Sequence, residues 1–297
     1  IDVSLVGSEM CIRDRKTNIE QLFGVAISAT LSTNYEKKGS HRFHIAVQTR
    51  DFSQSISCIL NKGQRTREEE EELVTEFVIA LISDCCGFEF KYPEIKEDVE
   101  HIQIPAQKGW ADLMSEKIKF VTSSNQQPKL IFPGAFNPMH DGHIAMSELA
   151  NKELSEEVFF EICIQNVDKP PLSYHQIKKT IDQFTDSKNW VLTKAGKFSD
   201  KAKLFPNSTF IIGADTLVRI FDERFYASRR EMMEEFEIFN ANNNNFLVFG
   251  REYKNKFIEL NDIQVPDSIK SRFRGFGENI FRKDVSSSTI RAQNSEE

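Results

Sequence analysis

Two histidines, His140 and His143, stand three residues apart in "LIFPGAFNPMHDGHIAMSELA", where an apolar strand pattern breaks at Pro133-Gly134 and an amphipathic helical pattern begins. Imidazoles in that place can ligate a metal or donate to an anion held at the helix N-terminus. Metal-binding pairs on helices share a face and are joined by further ligands, and no carboxylate accompanies this pair at HExxH spacing. A helix N-terminus, by contrast, already favours phosphate through its free N–H groups and its dipole. Gly134 lets the backbone turn sharply and approach a ligand, while Pro138 and Gly142 fix the loop. These residue types at this spacing point to polyphosphate binding.

The elements around the loop say how it would be positioned. The chain from Leu130 alternates strand and helix patterns: Leu130-Phe132, a helix from about His143, "EVFFEICIQ", a helix through "YHQIKKTIDQF", "WVLTK", "STFIIGAD" and "NFLVFGR". Such alternation predicts right-handed crossovers and a doubly wound parallel sheet covered on both faces, with ligands beyond the carboxyl ends of the strands. The "NANNNN" stretch reads as a loop. Upstream, "QLFGVAISATL", "HRFHIAVQTR" and "SQSISCIL" read as three strands with short connections. A helix follows from about Arg67, with Thr66 and Glu69 at capping-box spacing and Gly87 as a stop. Its acidic start, Glu68 to Glu72, reads as a solvated face. Residues 88 to 127 are mixed, with a short helix about Trp110 to Ile118, and the domain boundary is placed near Ser123 to Pro128.

Composition excludes several functions. A formal net charge of −7 without a concentrated basic tract argues against a nucleic-acid surface. No apolar run approaches the roughly 20 residues of a membrane span, and no secretory leader is visible, so the expected location is the cytoplasm. Five cysteines without CxxC spacing suggest neither a disulfide framework nor zinc, and Cys85-Cys86 reads as core packing. Residues 1–15 have no period, and "LVGSEMCIRDR" looks like a translated transposase sequencing adapter. They are set aside as an artefact, which implies a natural chain beginning further upstream.

"GAFNPMHDGH" resembles the GxFxPxHxGH signature of the HxGH-type nucleotidyltransferase superfamily, and "VSSSTIR", Val285 to Arg291, is similar to its second signature, ISSTxIR, with Ser288 where threonine is more usual. Within that superfamily the chain is most similar to nicotinamide or nicotinate mononucleotide adenylyltransferases, through "IQNVDKPPL" and "IIGADT" as well. The resemblance covers Leu130 to Arg291 and implies a doubly wound, Rossmann-like α/β domain over 128–297.

It also implies a chemistry. The 5′-phosphate of the mononucleotide attacks the α-phosphorus of ATP and pyrophosphate leaves. His140, His143 and Arg291 carry catalysis. ATP is bound by Gly134, Ala135, Phe136, Asn137, Gly142, Gly213, Asp215, Ser286 and Ser287, and Lys169 is a candidate for the mononucleotide. Phe225, Tyr226 and Trp190 are candidates to stack on the pyridine ring. Mg²⁺ is expected as a cofactor carried mainly by the ATP phosphates, without an all-protein metal cage. The expected partners are ATP and a pyridine mononucleotide, with neither nucleic acid nor membrane; assembly into a homo-oligomer stays open.

Residues 21 to 87 resemble the latter half of the CinA C-terminal domain, the family that includes nicotinamide-nucleotide amidase. They make residues 16–127 a smaller, truncated α/β domain plus linker. The serine-bearing "ESCTGG" front half has no counterpart, which argues against amidase activity. Pyridine-nucleotide salvage beside an adenylyltransferase favours a pyridine acceptor. The alternatives are transfer to phosphopantetheine or a polyol phosphate, and a noncatalytic nucleotide-binding scaffold. A class I aminoacyl-tRNA synthetase is disfavoured by the short chain and the lack of a KMSKS-like loop.

Overall fold

The structure is a computed structural model and describes residues 23–35, 37–165, 171–184 and 188–293. The chain divides into two compact units, Ile1–Ser115 with Pro170–Ile177, and Glu116–Lys169 with Lys178–Glu297.

In the first unit, β1 (Gly24–Thr30), β2 (His41–Gln48) and β3 (Phe52–Leu60) are the three expected strands; α1 (Arg67–Cys85) follows them. A fourth strand, β4 (Val99–Pro105), pairs antiparallel with β3 to complete a sheet in sequence order, and a short helix, α2 (Trp110–Met114), comes after it. The strand lies in the stretch that reads as mixed. Its alternating Ile102 and Ile104 were the available signal, and Pro105 is tolerated because β4 is an edge. Alternation on β2 buries Phe43, Ile45 and Val47 against α1, where Phe43 and Phe77 rings lie 5.1 Å apart.

The capping box of α1 forms as its spacing predicts: the Glu69 N–H donates to Thr66 Oγ1 at 3.2 Å and the Thr66 N–H to Glu69 Oε2 at 2.7 Å. The acidic run is not uniformly solvated, however. Glu70 is fully buried, accepting from the Ser32 N–H at 2.6 Å and meeting His41 Nδ1 at 2.8 Å, so one carboxylate of the five is an internal tether.

The second unit contains β5 (Phe120–Thr122), β6 (Leu130–Pro133), α3 (Asp141–Leu154), β7 (Val158–Cys163), α4 (Tyr174–Ile181, which straddles the division), β8 (Asn189–Thr193), α5 (Phe198–Leu204), β9 (Thr209–Gly213), α6 (Ala214–Ile220), α7 (Arg229–Ala241) and β10 (Asn245–Phe249). A hairpin of β11 (Arg251–Tyr253) and β12 (Lys256–Ile258), then β13 (Phe273–Phe276) and α8 (Ser287–Gln293), complete it. Its seven-stranded sheet runs β13-β10-β9-β6-β7-β8-β5, all neighbours parallel except β5 with β8. The strand β5 lies ahead of the boundary expected near Ser123, yet it pairs in this sheet.

From β6 the chain builds outward through β7 and β8, then returns to β6's other side and builds through β9, β10 and β13. This is the doubly wound order, and its reversal lies between β6 and β9. The strands are buried on both faces, as parallel strands must be. Ile131, Phe159, Phe210 and Phe246 face the core shared with α5, α6 and α7, while Phe132, Phe160, Ile211 and Leu247 are buried as well. The asparagine run is partly structural: fully buried Asn244 donates to the Phe205 carbonyl at 2.8 Å and to Ser208 Oγ at 3.0 Å, closing the turn into β10.

Candidate functional site

The loop after β6 is held from beneath by an aromatic side chain. Phe136, 1% exposed, adopts a left-handed φ of 44° and turns its ring back under the loop. There it packs edge-on to Phe132, Phe160 and His143, with centroids 5.1 Å from His143. The ring explains Gly134, because a Cβ at that position would lie 2.6 Å from Phe136 Cζ. Gln183 clips the loop from the side: its Oε1 accepts from the Met139 N–H at 2.8 Å and its Nε2 donates to the Phe136 carbonyl at 2.8 Å. The Asn137-Pro138 bond is cis.

His140 is the N-cap residue of α3 and His143 lies in its first turn. The two rings stack at 3.7 Å with planes 22° apart. The backbone N–H of His140 donates to His143 Nδ1 at 3.3 Å, so the neutral ring of His143 carries its proton on Nε2. Gly142 lets the rings sit this close to the helix start, since a Cβ there would lie 3.0 Å from the His140 ring and press on it. Burial, then the Arg251 charge, lowers the His140 pKa; burial, then His140 and Arg251, pushes His143 down to about 3. Both imidazoles are therefore neutral N–H donors at neutral pH. His140 Nδ1 is buried and has no hydrogen-bond partner among the described residues.

The histidines open onto a cleft of about 320 Å³, counted with the solvent at its mouth, at the carboxyl ends of the central strands. His140, Gly142, His143 and Met146 form one side, Gly213 and the Gly250-Arg251 corner the other, and Phe281, Lys283 and Val285 of the C-terminal segment close it. This is the crevice at the point where strand order reverses, where open α/β sheets place ligands. The second motif reaches the same loop from far along the chain: Ser287 Oγ donates to the Pro138 carbonyl at 2.8 Å, and Arg291 Nη1 donates to the Asn137 carbonyl. Ser286 Oγ accepts from the Thr289 N–H at 3.1 Å, an N-cap role for α8.

The structure brings most of the expected residues together. His140, Gly142, His143 and Gly213 line the cleft; Gly134 and Asn137 belong to the loop that forms its edge, and Ser287 and Arg291 of α8 hydrogen-bond to that loop. Asp215, in the first turn of α6, pairs with Arg251 at 3.4 Å. Ala135 is exposed on the loop, whereas Phe136 offers a ligand only backbone, because its ring is in the core. Lys169 lies outside the described residues. Of the stacking candidates, Tyr226 packs on Phe236 and donates its hydroxyl to the Ile220 carbonyl, Phe225 is 49% exposed beneath Arg219, and Trp190 sits on β8; none lines the cleft. Sequence reasoning missed Gln183, Arg251 and Lys283. Arg251 alone had a visible signal, a Gly-Arg at the carboxyl end of a strand.

Among the described residues no group of three or more His, Cys, Asp or Glu converges to hold a metal, and no helix is long and apolar enough to cross a membrane. The cytidylyltransferase-like family profile matches residues 131–293. Two structures of Plasmodium falciparum nicotinic acid mononucleotide adenylyltransferase, complexed with NaAD and with APC, align at 17% and 16% identity, each over 56% of this chain and 83% of that one, with TM-scores of 0.33 and 0.30. No curated protein matches the chain.

Proposed function

We propose, for a chain that belongs to the cytidylyltransferase-like family, that the second unit transfers the adenylyl group of ATP to the 5′-phosphate of nicotinamide or nicotinate mononucleotide, releasing pyrophosphate. The observation that carries the nucleotidyl-transfer part is the meeting of two distant motifs. The stacked histidines sit at the strand-order reversal, and Ser287 and Arg291 hydrogen-bond to the loop that presents them. The pyridine acceptor is supported by the "IQNVDKPPL" and "IIGADT" segments.

In this reaction an oxygen of the acceptor phosphate bonds to the α-phosphorus in line, the bond from that phosphorus to the bridging oxygen breaks, and pyrophosphate carries away the electron pair. A phosphate monoester with a second pKa of about 6 is already largely dianionic at neutral pH, so no general base is needed. The protein must align two anions and offset charge as it shifts towards the leaving group. His143, with Nδ1 occupied by its own loop, presents Nε2–H as a fixed donor, and the stacked His140 ring stands beside it. Arg291 and Ser287 hold the loop edge and supply further donors. Mg²⁺ bound to the ATP phosphates would add charge neutralisation, and the chain's own residues do the binding and orientation.

Pyrophosphate release from ATP and from CTP, measured with nicotinamide mononucleotide, nicotinate mononucleotide, phosphopantetheine and a polyol phosphate in parallel, tests the assignment. Turnover with ATP and a pyridine mononucleotide is expected. Turnover confined to another acceptor moves the substrate within the same chemistry, and binding of ATP with no turnover on any acceptor overturns the enzymatic reading.

A further inference from the structure

Arg251 begins β11 immediately after the Gly250 corner, lines the cleft with both histidines, and acts on the charge state of both rings. Its Nη1 lies 3.4 Å from each oxygen of Asp215. A charge-assisted hydrogen bond closes to about 2.7–2.9 Å when it is well made, so this pair is held loosely. Its side chains are 35% and 28% exposed, and pairs at such exposure contribute little to stability. Gly213 leaves room for it: a Cβ there would fall 2.4 Å from Asp215 Oδ1 and 3.1 Å from Arg251 Cδ. Because the imidazoles are neutral, fixed positive charge among the cleft-lining residues comes from Arg251 and Lys283.

We propose that Arg251 is a further polyphosphate-binding residue, paired loosely with Asp215 until a nucleoside triphosphate enters and then transferred to the phosphate chain. This rests on the nucleotidyl-transfer reading of the same site. Asp215 then sets the threshold for anion uptake. A single phosphate competes poorly with a carboxylate already in place, whereas a chain of three phosphates brings several charges and the bidentate geometry a guanidinium prefers. The loose pair favours a triphosphate over a monophosphate without a separate discriminating pocket.

Calorimetric titration of the full chain with inorganic tripolyphosphate and with AMP, run beside the pyrophosphate-release assay, tests this. Arg251→Gln is expected to weaken tripolyphosphate by roughly tenfold or more, the loss of one charge-assisted contact, and to change AMP affinity far less. Asp215→Asn is expected to act in the opposite direction and tighten tripolyphosphate, an effect that misfolding cannot imitate. Unchanged tripolyphosphate affinity in Arg251→Gln, weaker affinity in Asp215→Asn, or no tripolyphosphate binding to the wild-type chain each overturns the proposal. If the wild-type chain binds tripolyphosphate through Arg251 but no acceptor gives pyrophosphate, the enzymatic reading fails and the binding role stands. If turnover proceeds and Arg251→Gln leaves both it and tripolyphosphate binding unchanged, the enzymatic reading stands and the binding role fails.

Discussion

His143 is squeezed between an aromatic floor and an open cleft, and that position fixes its chemistry. With Phe136 and Phe132 packed against the ring and His140 stacked over it, the protonated form is disfavoured and the pKa falls from 6.5 to about 3. The sign follows directly. Between those two values the unfolded chain binds a proton that the folded ring refuses, so stability is complete above 6.5 and declines as pH falls towards 3. Urea midpoints measured across that window should therefore fall less steeply with acid in His143→Asn than in wild type, and parallel slopes would show that the ring is not disfavoured as a cation. The same residue carries the largest expected effect on turnover. His143→Ala removes an oriented donor from the developing charge and should lower turnover by at least roughly a hundredfold, with ATP affinity reduced much less. Equal losses in both would mark a ground-state binding role only.

The elements divide into those the sequence announces and those it hides. Strand–turn–helix around Gly134, the capping box of α1 and the Gly-Ala-Asp at the end of β9 are local patterns, and a local pattern is visible in one stretch of chain. Gln183 shows no such pattern. It reads as a polar residue at the end of an amphipathic helix, and its role emerges only when folding brings it to a loop forty-odd positions away. Gln183→Met should leave the Met139 N–H and the Phe136 carbonyl unpaired and let the loop drift. We expect turnover to drop by roughly ten- to a hundredfold, while Gln183→Glu, which can still accept from Met139, recovers part of it. Indistinguishable Met and Glu variants would count against the clip.

The buried ion pair between elements was hidden for the same reason. Lys201 on α5 donates to both oxygens of Glu161 on β7, at 2.7 and 2.8 Å, and to the Ala195 carbonyl at 2.7 Å, while Thr193 donates to Glu161 from β8. With the residues 4% and 1% exposed, removing one partner strands a charge, which costs about 3–5 kcal/mol. Lys201→Met should thus cut the unfolding free energy by that order, and the double variant with Glu161→Leu should regain most of it. Denaturant titration of the three chains decides whether the pair ties the strand ends together or is dispensable.

At the scale of the whole molecule the two units have separate hydrophobic cores, one built on β2, β3 and α1 and the other on the parallel sheet with α5, α6 and α7. The chain has two tryptophans, and each reports on one unit. Trp110, 1% exposed and stacked on Tyr174 at 5.8 Å, belongs to the first; Trp190, on β8, belongs to the second. A ligand that binds only the folded second unit stabilises it by mass action, about 2.7 kcal/mol at a hundredfold excess over Kd. For a unit of this size that is a rise of roughly 5–10 °C in its midpoint. In Trp110→Phe, where fluorescence comes from Trp190, ATP should therefore raise the thermal midpoint by that amount. In Trp190→Phe, where it comes from Trp110, ATP should leave the midpoint in place. Equal shifts in both variants would mean that the units unfold as one cooperative body, and a shift confined to Trp110 would move the nucleotide site out of the cleft beneath His140 and His143 altogether.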